Sequence, residues 1–212
     1  MIQDIINSFN SDIYYSKNWC VFDLETTNID KGNALEKDNS IVIAEIRDKE
    51  RFYSFEETNE LDWYTSLQKL YEYDFIIIQN AKFELRWLIR LGFDISKLVV
   101  ADTMLAEYTL LGNRKLPLDL NSMSKRYGGQ GKGEYVSNLI HAGICPSQID
   151  RRKLRNYCRL DLTETLRVFT KQLELLGKEK TLPVFFTKCS VVKVLSEMEM
   201  RGLFLNKRKV IS

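Results

Sequence analysis

Residues 21–27, Val-Phe-Asp-Leu-Glu-Thr-Thr, carry two acids, Asp23 and Glu25, inside an apolar run. Val21, Phe22 and Leu24 read as a buried β-strand. Side chains alternate along a strand, so positions two apart share a face, with Cα atoms ~7 Å apart. Paired carboxylates on a buried face repel each other and lose hydration, which a cation between them relieves. A strand end emerging into water, with Thr26, Thr27 and Asn28 as its turn, accounts for the same residues. Acids elsewhere in the chain bear on the choice.

Glu84 lies on a helix that opens at Asn80. Lys82, Arg86 and Arg90 recur every four residues and mark its solvated stripe, while Glu84 aligns with Leu88 and Leu91 on the other side. A first-turn acid gains from the helix dipole, and an ordinary acid at the core edge also fits. Asp161 is placed more tellingly. Over residues 154–169, Leu154, Tyr157, Cys158, Leu162, Thr165, Val168 and Phe169 form one face, and Asn156, Arg159, Glu164 and Arg167, with Arg152 and Lys153 just before the stretch, the other. Asp161 falls in the middle of the apolar face, where an unpaired carboxylate is costly. No lysine or arginine shares that face, which favours a metal. Four inward acids from three segments suit two divalent cations about 4 Å apart, the arrangement that serves phosphodiester hydrolysis. Tyr157, one turn before Asp161, is placed to orient an attacking water; a core tyrosine with a satisfied hydroxyl fits equally.

The elements that must position these residues follow from pattern. Residues 40–55 read as a β-hairpin with a turn near Asp48-Lys49, followed by a helix over 60–72. Phe75–Ile78 is a central strand, Asn80 opens a helix that Gly92 ends, and Leu98–Val100 is a further strand. A helix from Asp102 to Leu111 precedes a polar region over 112–133, with helical character around 118–127. The last long helix covers 151–176 and stops at Gly177. Gly128-Gly129-Gln130-Gly131-Lys132-Gly133 lacks phosphate-loop spacing and follows no strand, so it reads as a flexible loop whose lysine at most brushes a phosphate. Hairpin strands followed by alternating strands and helices predict a mixed-sheet α/β domain.

The 212 residues are 44% hydrophobic and 11% aromatic, enough for a full core, and the 28% charged residues leave a net charge of only +2. Nucleic-acid binding must therefore come from a local site. The four cysteines have no CxxC spacing and look reduced and cytosolic. No long apolar span marks a membrane segment, and the N-terminus lacks secretory features. His141 is the single histidine, so a metal should be a hard one held by oxygen.

Three stretches resemble, in order, the exonuclease motifs of family A (polymerase I-like) DNA polymerases. They are Val21-Phe22-Asp23-Leu24-Glu25-Thr26-Thr27, Gln79-Asn80-Ala81-Lys82-Phe83-Glu84-Leu85 and Tyr157-Cys158-Arg159-Leu160-Asp161. Ala101-Asp102-Thr103-Met104-Leu105 looks like the stretch between the second and third motifs. Tyrosine four residues before the last aspartate is the DEDDy variant; the histidine variant would need His where Asn156 stands. Asn80-Ala81-Lys82-Phe83 and Leu118-Asp119-Leu120-Asn121-Ser122-Met123 are similar to phage-type enzymes.

The resemblance implies a ribonuclease H-like, DnaQ-like 3′–5′ exonuclease fold, a mixed β-sheet flanked by helices. Its implied site is Asp23, Glu25, Glu84 and Asp161 holding two Mg²⁺ or Mn²⁺ ions, with Tyr157 orienting water. The backbone N–H of Thr26 and the side chain of Asn80 would meet the terminal nucleotide, and Leu24 and Met104 the last bases. The substrate would be a single-stranded or frayed DNA 3′ end in a bacterial or phage-infected cytoplasm. One departure stands out: the family's second motif ends in aspartate, here Glu84. That acid reaches its metal largely through water in the family, so activity should survive. The resemblance divides the chain into an exonuclease domain, 1–178, and a helical segment, 179–212, similar to the start of a polymerase portion. Polymerase motifs are missing, so a fragment or a separate subunit that docks on a polymerase is expected. A ribonuclease D-like exoribonuclease would share the acids and Tyr157, and an inactive DNA-binding domain would keep the fold.

Overall fold

The computed structural model describes residues 17–131 and 133–204. Five strands form one sheet: β1 (Trp19–Thr26), β2 (Ile41–Arg47), β3 (Phe52–Phe55), β4 (Phe75–Ile78) and β5 (Val100–Asp102), in the spatial order β3-β2-β1-β4-β5. β2 pairs antiparallel with both β1 and β3, whereas β4 pairs parallel with both β1 and β5. The β2–β3 turn is closed by Asp48, whose side chain accepts from the N–H groups of Glu50 and Arg51.

The chain returns between the parallel strands through α1 (Glu60–Leu67) and α2 (Lys82–Arg90), and continues as α3 (Thr103–Leu111), α4 (Leu120–Arg126), α5 (Glu134–His141), α6 (Arg151–Lys178) and α7 (Leu182–Arg201). β4, and β1 as far as Phe22, are apolar on both faces because helices cover both. Cys20, Phe22, Leu24, Ile76 and Ile78 pack against Leu67 of α1 and Leu85 and Leu88 of α2. Trp19, Val21, Phe75 and Ile77 pack against Ala106 and Leu110 of α3 and Leu162 and Phe169 of α6. By alternation Asp23 and Glu25 belong to the α6 face. α7 joins both layers, with Leu182, Phe185, Phe186 and Cys189 in the second and Val192 in the first.

Several boundaries differ from expectation. The third apolar strand lies two residues later than Leu98–Val100, because a 3-10 turn at Ile95–Lys97 uses up chain first. The helix expected over 60–72 is α-helical only to Leu67 and tightens to a 3-10 turn over Gln68–Glu72. Gly177 does not stop α6, which runs on to Lys178; the left-handed position after the helix is Lys180, at φ 56°. Glu164, assigned by periodicity to the wet face, is buried because α4 packs there, and its carboxylate accepts from the Ser124 hydroxyl. The glycine-rich loop is not free, since the Gly129 and Gly131 amides donate to the Ser124 carbonyl and hydroxyl. A side chain at Gly129 would collide with Glu164 and Ser124. Lys132, and the part of the C-terminal segment after Phe204, lie outside the described residues.

Candidate active site

Phe22 and Leu24 enter the core on one side of β1, which leaves Asp23 and Glu25 half-buried on the other. The β1–β2 ladder shifts register between Glu25 and Thr26. Such an irregularity re-aims the side chains beside it, and bulges of this kind recur next to active sites. Opposite β1, α6 presents Tyr157, Cys158 and Asp161 from one buried face. Carboxylate oxygens of Asp23 and Glu25 and the sulfur of Cys158 all lie within 4.8 Å of one another. Burial, and then the charges of Glu25, Asp23 and Asp161, push the Cys158 thiol well above its ordinary range.

Glu84 joins from the first turn of α2. It is buried, and its Oε2 has no hydrogen-bond partner among the described residues. Burial, followed by the charge of Asp23, raises its pKa well above the usual carboxylate range. A buried oxygen without a donor, facing other acids, fits a site built for cations. The oxygen donors fit hard divalent ions, and Asp23, Glu25, Glu84 and Asp161 are the residues that would hold them.

The turn that aims Glu84 is fixed by Asp102. Its side chain accepts from the amides of Asn80 at 3.1 Å, Ala81 at 3.0 Å and Met104 at 2.8 Å. Asp102 thereby caps α3 and holds the end of β4 in one bracket. Asn80 sits at φ 63°, a left-handed conformation that asparagine tolerates better than most residues. Burial outweighs the amide donors and moves the Asp102 pKa up to about 6.

Beside Glu25 and Tyr157 opens a cavity of about 820 Å³, lined further out by Asn121 and Lys125 of α4 and Ser137, Asn138 and His141 of α5. Asp119 and Glu134 add two acids to this wall, and Glu25 and Tyr157 connect it to the carboxylate cluster. Of the residues expected from sequence, Asp23 and Glu25 lie beside Cys158 on the α6 face that also carries Tyr157 and Asp161, and Glu84 feels the charges of Asp23 and Glu25 from α2. Asn80 and Met104 flank them as half-buried residues around the Asp102 bracket, and Thr26 ends β1 just past the bulge. Leu24 is a correction: it lies in the opposite sheet layer, 3% exposed, because strand alternation turns it away from Asp23. The basic run at the start of α6 is partly committed within the protein, with Arg151 donating to the Val42 carbonyl and Arg155 pairing with Glu56.

Three participants went unread in the sequence. Cys158 was counted as an apolar residue although it stands three before Asp161, hence on the same face. Glu45 is fully buried opposite Asp23 in the β1–β2 register, where it meets Arg159. Asp102 was read as a helix start and as part of the stretch between the second and third motifs, without its bracket on the Asn80 turn.

The family model DNA_pol_A_exo1, a 3′-5′ exonuclease, matches residues 7–176. The chain belongs to this exonuclease family. No curated protein matches the exonuclease by sequence. Among solved structures it is similar to the catalytic core of RRP6 from Trypanosoma brucei, with a TM-score of 0.61 and 13% identity over 91% of this chain. A cysteine-to-serine mutant of that core gives a TM-score of 0.58 at the same 13% identity and 91% coverage. The exonuclease spans 50% of the length of each RRP6 chain. The shared fold is the ribonuclease H-like sheet with helices on both faces. Among the described residues no helix is long and apolar enough to cross a membrane.

Proposed function

We propose that the protein is a metal-dependent 3′–5′ exodeoxyribonuclease that releases 5′-nucleotides from single-stranded or frayed DNA ends. The observation that carries this reading is the meeting of Asp23 and Glu25 with the Cys158 face of α6, which also bears Tyr157 and Asp161, with Glu84 feeling the charge of Asp23 and a cavity opening beside Glu25 and Tyr157. Asp23, Glu25, Glu84 and Asp161 hold two divalent ions, Mg²⁺ or Mn²⁺. When bound, these supply a lowered pKa for the attacking water and charge stabilisation at the leaving 3′ oxygen. Tyr157 orients the water through its hydroxyl. Lys125 meets a backbone phosphate in the cavity, and the Thr26 amide and the Asn80 side chain position the terminal nucleotide.

In its native setting the domain serves as the proofreading part or subunit of a family A polymerase. Val191, Val194, Leu195 and Met198 form an exposed apolar stripe on α7 that supports docking of a polymerase portion. A ribonuclease D-like role on RNA uses the same acids and tyrosine, so substrate choice is the discriminating measurement. Matched DNA and RNA oligomers, labelled at the 5′ end and incubated with Mg²⁺, should show stepwise shortening that is faster on DNA. Faster loss of RNA would replace the DNA reading. Wild-type rates in Asp23→Ala or Asp161→Ala would remove the site itself.

A further inference from the structure

Cys158 is the residue of this centre that hydrolysis does not call for. Its sulfur is fully buried and stands within 4.8 Å of carboxylate oxygens from both Asp23 and Glu25. A second observation bears on the same acids: Glu84 Oε2 is buried and has no hydrogen-bond donor among the described residues, in a carboxyl group that feels the charges of Asp23 and Glu25, the two acids beside this sulfur. Hard ions prefer an all-oxygen shell, whereas zinc and cadmium gain strongly from thiolate. Four-coordinate zinc takes sulfur at about 2.3 Å and oxygen at about 2.0–2.2 Å, which sets ligand atoms about 3.5 Å apart, so the three groups would have to close in by up to about 1 Å.

We propose that Cys158 gives this carboxylate centre a sulfur ligand, so that it captures thiophilic divalent ions, Zn²⁺ or Cd²⁺, in the place of the hard ion. The proposal rests on the reading of Asp23 and Glu25 as metal ligands. As the metal–sulfur bond forms, the S–H bond breaks and its proton leaves to solvent. No electron is transferred. The captured ion sits where the magnesium-type ion is needed, and hydrolysis stops until a chelator removes it.

The test titrates the full chain, stripped of divalent ions, with Cd²⁺ and follows the ultraviolet cadmium–thiolate band. One saturable band is expected. It should be lost in both Cys158→Ser and Cys158→Ala. Asp23→Asn keeps the thiol and should weaken the midpoint by about tenfold or more, the scale seen when even an outer partner of a metal ligand is lost. X-ray absorption of the Zn²⁺-loaded wild-type protein should show one sulfur at about 2.3 Å and needs no variant to fold. A band that survives in the Cys158 variants, an unchanged midpoint in Asp23→Asn, or a zinc shell without sulfur overturns the proposal. Mg²⁺-supported hydrolysis by the wild-type protein is scored apart. Its absence removes the nuclease reading, whereas its presence without a cadmium band removes only the sulfur ligand.

Discussion

Asp23 on β1 and Glu45 on β2 are cross-strand partners, so a fully buried glutamate stands beside the first candidate ligand. Glu45 Oε2 lies 3.3 Å from Arg159 Nε and its Oε1 lies 3.9 Å from Arg155 Nε, while the Ser54 hydroxyl donates to the same carboxylate. Arg159 is two residues before Asp161, so the pair fixes α6 against the sheet at the point where the acids meet. Glu45→Ala strips two arginines of their shared partner and should cost about 1.5–3 kcal/mol, since both remain partly open to water. Glu45→Gln keeps the shape and one acceptor and should lose less. Urea unfolding with and without Mg²⁺ checks this. Ion-induced stabilisation should fall in Glu45→Ala, and equal stabilisation in both proteins would make Glu45 a packing residue only.

That relationship also marks where sequence reading ran out. Asp23 and Glu25 were legible because strand alternation is local, and Asp161 because helical periodicity is local. Leu24 was assigned to the substrate although the same alternation sends it to the opposite layer. Glu45 needed the register of β1 on β2, and Glu164 needed α4 laid on α6. Both are long-range pairings that periodicity does not contain. Cys158 was visible on the Asp161 face, but a thiol reads as apolar until two carboxylates are found beside it.

Tyr157 and Asp161 share one helical face and should part in their kinetics. Asp161→Ala removes charge from the ion-holding set and should abolish hydrolysis. Tyr157→Phe loses only the hydroxyl that orients water and should cost about 10²–10³-fold at most, the scale of one oriented hydrogen-bonding group. Single-turnover rates on a 5′-labelled oligomer separate the two, and equal loss in both variants would give Tyr157 a larger role.

Glu84 stands where the motif resemblance expects aspartate, and its pKa is raised by burial and by Asp23. In the metal-free protein it therefore keeps a proton to higher pH than a free carboxyl. Metal must displace that proton, so ion affinity should rise with pH through this group's titration. Calorimetry in buffers of different ionisation enthalpy should detect proton release, reduced in Glu84→Gln. Glu84→Asp should stay active, while Glu84→Ala should lose activity and ion occupancy. Wild-type activity in Glu84→Ala would leave this acid as a first-turn helix residue.

Asp102 offers a test of pH-dependent stability. Its folded pKa is raised to about 6 from an ordinary value of 3.8. Between these values the folded protein binds more protons than the unfolded one, so this group lowers stability as pH rises from about 4 to about 6 and contributes no further slope above. In chelator, the slope over that window should be shallower in Asp102→Asn than in wild type. The variant should nonetheless be less stable at neutral pH. Its side-chain nitrogen replaces one acceptor facing the amides of Asn80, Ala81 and Met104, and loss of the cap alone costs about 1 kcal/mol. Parallel pH profiles for the two proteins would mean that Asp102 does not titrate in this range.

The two sides of α7 should separate folding from docking. Phe185, Phe186 and Leu182 lie in the core layer against α3 and α6, and Val192 lies in the layer against α2. Each buried side chain is worth about 1.5–3 kcal/mol, and together they rival the roughly 5–15 kcal/mol that stabilises an ordinary domain. Deleting residues 180–212 should therefore unfold or severely destabilise the protein. Val191, Val194, Leu195 and Met198 face solvent instead. Val194→Asp with Leu195→Asp should keep the melting temperature and the hydrolysis of short single strands, yet block association with a polymerase portion in co-purification. A truncated chain that stays folded would detach α7 from the exonuclease core. Undiminished association by the double variant would rule out the exposed stripe as the docking face.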